Sequence, residues 1–166
     1  MKRVIVPGIV ALVLAAGFIA WFATRGGQPA PDVTFTSLEG KQITTQDLRG
    51  KVVLVKFWAT SCVTCVKQMP DNIEHYNTYA PNGYDTIAVA MQYDPANYVV
   101  NFAQTRKLPF TVAVDARGDI ARAFGDVRLT PTAFLIDKKG NIIKRYLGEY
   151  DKAAFRVTVE NALAES

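Results

Sequence analysis

The spacing of apolar positions along this chain changes several times, and each change marks an element. Val4 to Ala23 is an unbroken uncharged run of about 20 residues. RGGQPAP (25–31) follows as a Gly/Pro linker. From Val33, VTFTSLEGKQITTQDLRGK predicts a hairpin turning at Glu39-Gly40 and a second turn at Arg49-Gly50. VVLVKFW (52–58) is almost wholly β-branched and aromatic, which predicts a central strand. A helical pattern begins at Cys62 and runs to about Tyr79, interrupted by Pro70. YDTIAVAMQY (84–93) predicts a strand, NYVVNFAQTRK (97–107) a helix, FTVAVD (110–115) a strand, and DIARAFG (119–125) a short helix closed by Gly125. TPTAFLID (130–137) predicts a strand entered through Pro131. The turn KKGN (138–141) leads into its antiparallel partner IIKRYLG (142–148). DKAAFRVTVENALA (151–164) closes the chain as an amphipathic helix. Strands alternating with helices, then a hairpin and a last helix, predict a three-layer α/β domain around a mixed sheet.

Charge alters the reading only at the N-terminus. The chain has 166 residues with 19 basic and 15 acidic ones. Lys2, Arg3 and Arg25 sit in an acid-free first segment; taking these three from the 19 leaves 16 basic against 15 acidic residues. The remainder is near neutral with its charges interspersed, so the chain carries no case for nucleic-acid binding. The apolar run is long enough to cross a bilayer, and its basic flank points the N-terminus to the cytoplasm and residues 24–166 outside it. A cleaved signal peptide is the competing reading. Cleavage after Ala23 would place Trp21 at −3, and cleavage after Gly17 would leave FIAWFA on the mature end, so both sites fit poorly. The expected organisation is an anchor with its flanks (1–27), a linker (28–31) and one α/β domain (32–166), exported on either reading.

The only two cysteines are Cys62 and Cys65, within FWATSCVTC (57–65). Zinc needs four ligands, and the one histidine, His75, lies ten residues on in the polar stretch NIEHYN, where a solvated surface position is expected. Haem attachment needs a histidine after the second cysteine, and Val66 stands there. A structural disulfide is the bland alternative, but a bridge across so short a loop removes little entropy from the unfolded chain. A redox couple fits the position better. Cys62 is at the start of a helix, where unsatisfied N–H groups and the dipole favour a thiolate. Cys62 is then the nucleophile and Cys65, one turn further in, the resolving thiol. No cofactor and no metal are expected. Tyr76, Tyr79 and Tyr84 are read as packing and rim, and Phe102, Phe124, Phe134 and Phe155 as core.

FWATSCVTC resembles the active-site segment of the thioredoxin superfamily. With the opening hairpin, VVLVKFWAT, KQMP and TPTAFLIDKKGNII in order, residues 31–165 resemble its membrane-anchored TlpA/ResA-type branch, which includes the cytochrome c maturation thioredoxins. The resemblance implies a thioredoxin-like fold behind an N-terminal transmembrane helix. It matches Trp58 to the tryptophan beside the active site, Pro70 to the proline that kinks the first helix, and Pro131 to the cis-proline facing the cysteines. It also implies that Thr130 presents its backbone to an incoming peptide.

Three positions depart from the family pattern. Ser61 precedes Cys62 where a tryptophan is usual. Lys56 stands where classical thioredoxins bury an acid. Gln68 replaces a glutamate frequent in ResA-type reductases. Lys56 either stabilises a thiolate or extends to solvent from a strand end, and Gln68 reads as a neutral filler. The expected protein is a bacterial inner-membrane thiol–disulfide oxidoreductase with its domain in the periplasm. It would take electrons from a membrane donor protein and reduce disulfides or CxxC thiols in exported substrates, of the apocytochrome c or copper-site assembly kind. The alternatives are a thiol oxidase or isomerase on the same scaffold, and a dithiol copper-binding module without turnover. A peroxidase of the redoxin class would carry a threonine three residues before its reactive cysteine. Ala59 holds that place before Cys62, and Cys62 itself before Cys65.

Overall fold

The computed structural model describes residues 27–165. The proposed anchor over 4–23 therefore lies outside the described residues, and among those described no helix is long and apolar enough to cross a membrane. The elements follow in the order β1 (Gln28–Pro29), β2 (Thr34–Thr36), β3 (Gln42–Thr44), β4 (Val52–Trp58), α1 (Val63–Tyr79), β5 (Tyr84–Ala90), α2 (Ala96–Thr105), β6 (Thr111–Val114), α3 (Asp119–Ala123), β7 (Thr132–Ile136), β8 (Asn141–Leu147) and α4 (Lys152–Ala164).

Six strands form one mixed sheet in the order β1-β8-β7-β4-β5-β6, and β2 and β3 form a separate hairpin. β4 pairs parallel with β5 and antiparallel with β7, which makes it central and explains why all seven of its residues are buried. Its alternation sorts the core into two faces. Val53, Val55 and Phe57 join Phe35 and the α3 residues Ile120 and Ala121 on one side. On the other, Val52 and Leu54 pack with Phe155 and Val159 of α4, and Trp58 packs with Cys65 and Met69 of α1. Lys56 falls between Leu54 and Trp58 in this second row, beneath α1.

Within the linker, Gln28 and Pro29 pair with Ile142 and Asn141 and extend the sheet by one short edge strand. One sequence expectation is corrected here. Pro70 does not interrupt the helix, since α1 runs through it from Val63 to Tyr79. Its ring lies on the exposed side of α1, so the lost N–H bond is not stranded in the core. The remaining elements match the predicted ones to within about three residues at their ends, the usual uncertainty of a helix or strand boundary.

Candidate active site

β4 ends at Trp58, and the turn Ala59–Ser61 carries the chain from the sheet to the first residue of α1. A buried carboxylate shapes this turn. Asp94, which follows β5, accepts from the Thr60 amide at 2.6 Å and from the Thr60 hydroxyl at 2.5 Å. The Cys62 amide then donates to the Ala59 carbonyl at 3.1 Å. Asp94 thus holds the segment that aims Cys62. Sequence reading missed it; the only signal was an Asp-Pro pair just after a strand.

Cys62 is the N-cap of α1, and its sulfur accepts the Cys65 amide at 3.2 Å. The two cysteines form a disulfide with an S–S length of 2.12 Å and a Cα–Cα distance of 5.2 Å. Cys62 is partly exposed, whereas Cys65 is 0 % exposed and packs against Trp58, Met69 and Val99. One sulfur is reachable from solvent and lies against unsatisfied helix N–H groups. The other lies one turn deeper in an apolar setting. This arrangement can run a two-step exchange: the outer thiolate attacks a partner's disulfide, and the inner thiol opens the resulting mixed disulfide.

Of the other sequence-selected residues, Trp58 shares the apolar cluster of the two cysteines and Ser61 adjoins Cys62 in the chain. Trp58 stacks at a tilt on Phe102, with ring centroids 5.1 Å apart. Ser61 and Val63 flank Cys62 and are exposed, Val63 by 82 %. The Thr130–Pro131 bond is cis. Its loop is held by the Thr132 hydroxyl donating to the Leu129 carbonyl at 2.7 Å, by the Gly148 amide on the Pro131 carbonyl at 2.8 Å, and by a 3.2 Å contact between the Tyr93 and Thr130 hydroxyls. Pro70 is exposed.

Lys56 does not extend to solvent. It is 1 % exposed, and its ammonium donates to Oε1 of Gln68 at 2.8 Å and sits 5.6 Å from the centre of the Tyr150 ring. The sheet register explains why a lysine fits here, because its neighbours across β5 and β7 are Ala88 and Ala133. Burial pushes its pKa down from 10.5 to about 7, against a partial pull upward from Asp71. Gln68 is correspondingly no mere filler, since it supplies the one hydrogen bond recorded for that ammonium.

His75 also departs from expectation. It is 0 % exposed and stacks at a tilt on Phe155 with ring centroids 4.7 Å apart. Among the described residues, neither ring nitrogen has a partner. Burial lowers its pKa to about 4. The polar letters of NIEHYN concealed a helix whose inner stripe is itself polar: Cys65, Gln68, Asn72, His75 and Tyr79 recur at spacings of three and four and are all buried. Asn72 is satisfied from outside α1, accepting the Tyr150 hydroxyl at 2.9 Å.

Comparison with known proteins agrees with this geometry. The Redoxin family matches residues 25–164. The thiol-disulfide oxidoreductase ResA of Bacillus thuringiensis subsp. konkukian is 42% identical over 76% of this chain and 72% of its own. That of Geobacillus thermodenitrificans is 34% identical over 84% and 79%. Among solved structures, a thiol:disulfide interchange protein of the thioredoxin family from Chlorobium tepidum superposes with a TM-score of 0.75 at 30% identity, covering 83% of this chain and 97% of its own. With a sheet-centred fold, a CxxC disulfide at a helix start and relatives of this kind, the chain belongs to the Redoxin family, as a thioredoxin-like thiol–disulfide oxidoreductase of the TlpA/ResA type.

Proposed function

We propose that this protein is a membrane-tethered reductase of disulfides in exported proteins. The observation that carries the reading is the asymmetry of the sulfurs, with Cys62 partly exposed at the start of α1 and Cys65 fully buried. In the reduced protein, Cys62 is the nucleophile. Its thiolate attacks a client disulfide, a bond forms between Cys62 and one client sulfur, and the other client sulfur leaves. Cys65 then attacks Cys62, the client is released with both sulfurs reduced, and the protein holds the disulfide. Two electrons have moved, and a donor must return them before the next turn. Val63, Leu129 and Tyr93 expose apolar side chains (82, 65 and 54 %), which suits a polypeptide client. Thr130 and Pro131 would offer the backbone edge on which that client lies.

Placement rests on the sequence. The apolar run 4–23 behind Lys2 and Arg3 supports an inner-membrane anchor, with residues 28–31 joining it to a periplasmic domain. A short tether would keep the domain near a membrane electron-donor protein and raise its effective concentration there. Apocytochrome c thiols and copper-site assembly proteins are the client classes that fit a CxxC reductase in that compartment. An oxidase or isomerase role is the second reading, favoured by a buried cation at Lys56 where an acid would be expected.

The reduction potential of the Cys62–Cys65 couple, equilibrated against dithiothreitol and glutathione, tests the direction. A value near or below roughly −270 mV supports a reductase. One between roughly −120 and −180 mV transfers the protein to the oxidase or isomerase class. Cysteine-reactive labels applied from either side of the membrane test the placement. Labelling of an engineered surface cysteine only from the cytoplasm would overturn it.

A further inference from the structure

Three hydrogen-bond donors are buried around the apolar cluster that holds Cys65. Trp58 contributes an indole N–H, buried and without a partner among the described residues, from the same cluster that holds Cys65. Gln68 is one turn below Cys65 on the inner stripe of α1. Its Oε1 is taken by Lys56, and its Nε2, also buried, has no partner among the described residues. Lys56 brings three N–H bonds, and one hydrogen bond is recorded for them. Buried donors without acceptors are costly, by about 1–3 kcal/mol each. Their grouping beside a sulfur that is neutral in the disulfide and can become anionic after reduction gives them a purpose.

We propose that Lys56, acting through Gln68, is a built-in counterion for the thiolate of Cys65. The ammonium holds the Gln68 carbonyl, which fixes the amide and polarises it, and the free N–H of that amide is the bond the Cys65 thiolate takes up once the disulfide opens. The inference rests on Cys65 being the resolving sulfur. In the mixed disulfide, the Cys65 thiol loses its proton to water and is left as a thiolate facing these donors. Its sulfur attacks Cys62 Sγ, the bond between Cys62 and the client breaks, and the client sulfur departs as a thiolate that takes up a proton from water. The protein is oxidised and the client reduced by the same two electrons. Lys56 is a positioning residue in this scheme, since it reaches the sulfur through the amide. The other titratable groups near it are Asp71 on α1 and Tyr150 between β8 and α4. Asp71 favours the charged lysine, and the buried His75 is neutral near pH 7.

The test uses the full chain carrying Cys62→Ser, so that Cys65 is the only thiol. Its ionisation is followed by thiolate absorbance near 240 nm, alone and with Lys56→Met or Gln68→Leu. Each added change is expected to raise the Cys65 pKa by at least one unit. In the two-cysteine protein, at a pH where Cys65 is ionised, each is expected to shift the glutathione equilibrium at least tenfold toward the disulfide, about 30 mV to more negative potential. A purely structural role for the pair would move the melting temperature and neither of these readouts. An unchanged Cys65 pKa in a folded Lys56→Met or Gln68→Leu variant overturns the proposal, and Gln68→Leu decides if Lys56→Met does not fold. The parent Cys62→Ser protein separates the two levels. Retained disulfide exchange there refutes the assignment of the cysteines, whereas lost exchange with an unmoved Cys65 pKa refutes only the counterion.

Discussion

Replacing Lys56 with methionine is expected to stabilise the oxidised protein at neutral pH. The reason is a linkage between burial and protonation. The side chain is 1 % exposed, and its pKa falls from 10.5 in the unfolded chain to about 7 in the fold. Folding therefore favours the neutral amine. The stability that this group permits is complete above about pH 10.5, declines as the pH falls toward 7, and levels off below it. Between pH 9.5 and pH 7 the decline is about 3 kcal/mol, at 1.36 kcal/mol for each unit over which the two states differ in bound protons. Methionine fills a similar length without a charge. It forfeits the bond to Gln68 Oε1 (2.8 Å), and an orphaned buried acceptor costs about 1–3 kcal/mol. Counted from above pH 10.5 the penalty at pH 7 is about 4 kcal/mol, so the net gain there is about 2 kcal/mol, shrinking and changing sign by pH 9.5. Urea unfolding of both oxidised proteins between pH 6 and 9.5, followed by the fluorescence of buried Trp58, measures the difference directly and cancels the titration of groups common to both. A gap between variant and wild type that does not change with pH would refute the reasoning, as would a variant less stable than wild type at pH 6.

Three further outcomes are expected. Cys62→Ser should abolish reduction of a disulfide-bonded protein substrate, and Cys65→Ser should accumulate a mixed disulfide visible on non-reducing gels. Turnover by the Cys62→Ser protein would exclude the mechanism. Acid should destabilise the fold through His75. Its pKa is about 4 when folded and 6.5 when unfolded, so stability is complete above about pH 6.5 and roughly 3 kcal/mol is lost as the pH falls to 4. His75→Phe should remove most of that slope in unfolding curves, and an unchanged slope would show that other groups carry it. Asp94→Ala should release both bonds to Thr60 (2.6 and 2.5 Å) and slow attack by Cys62 by about tenfold through loss of positioning. Alkylation kinetics of the reduced protein check this, and a rate within twofold of wild type would mean that the turn holds without the carboxylate.

The fold was legible because β4, β5 and β7 are largely apolar strands and α4 shows an amphipathic period. The redox pair was legible too, since two cysteines at that spacing after a buried strand leave few other chemistries. What stayed hidden was the environment of polar residues. Lys56 reads as surface in any composition count, and only the strand register, which sets Ala88 and Ala133 beside it, shows that it has room to be buried. His75 was misplaced for a related reason. Its neighbours Glu74 and Asn77 are exposed, but the stripe it shares with Cys65, Gln68 and Asn72 faces inward, and a polar stripe defeats the apolar pattern by which inward faces are recognised. Asp94 acts across 34 residues of sequence, a partnership that no local pattern encodes.

That inward polar stripe also bears on why the fold tolerates so poor a core at its centre. A helix lying on a sheet would be more stable with leucine or methionine at Gln68, Asn72 and His75, as a buried polar group returns at best a modest net gain even when bonded. Here several are unbonded or half-bonded in the disulfide form: Trp58 Nε1, Gln68 Nε2 and both nitrogens of His75. The unpartnered groups are spread along α1, with His75 between two bonded neighbours. At its far end, the Tyr79 hydroxyl finds Glu160 at 2.6 Å, and in the middle Asn72 finds Tyr150. Nearest the sulfurs, Gln68 and Trp58 carry free donors and Lys56 carries an under-bonded charge. Stability alone would not leave the donors of Trp58 and Gln68 free around Cys65. A site that must accept a negative charge on Cys65 for part of each cycle would, because donors already oriented and already dehydrated need not be reorganised when the thiolate forms.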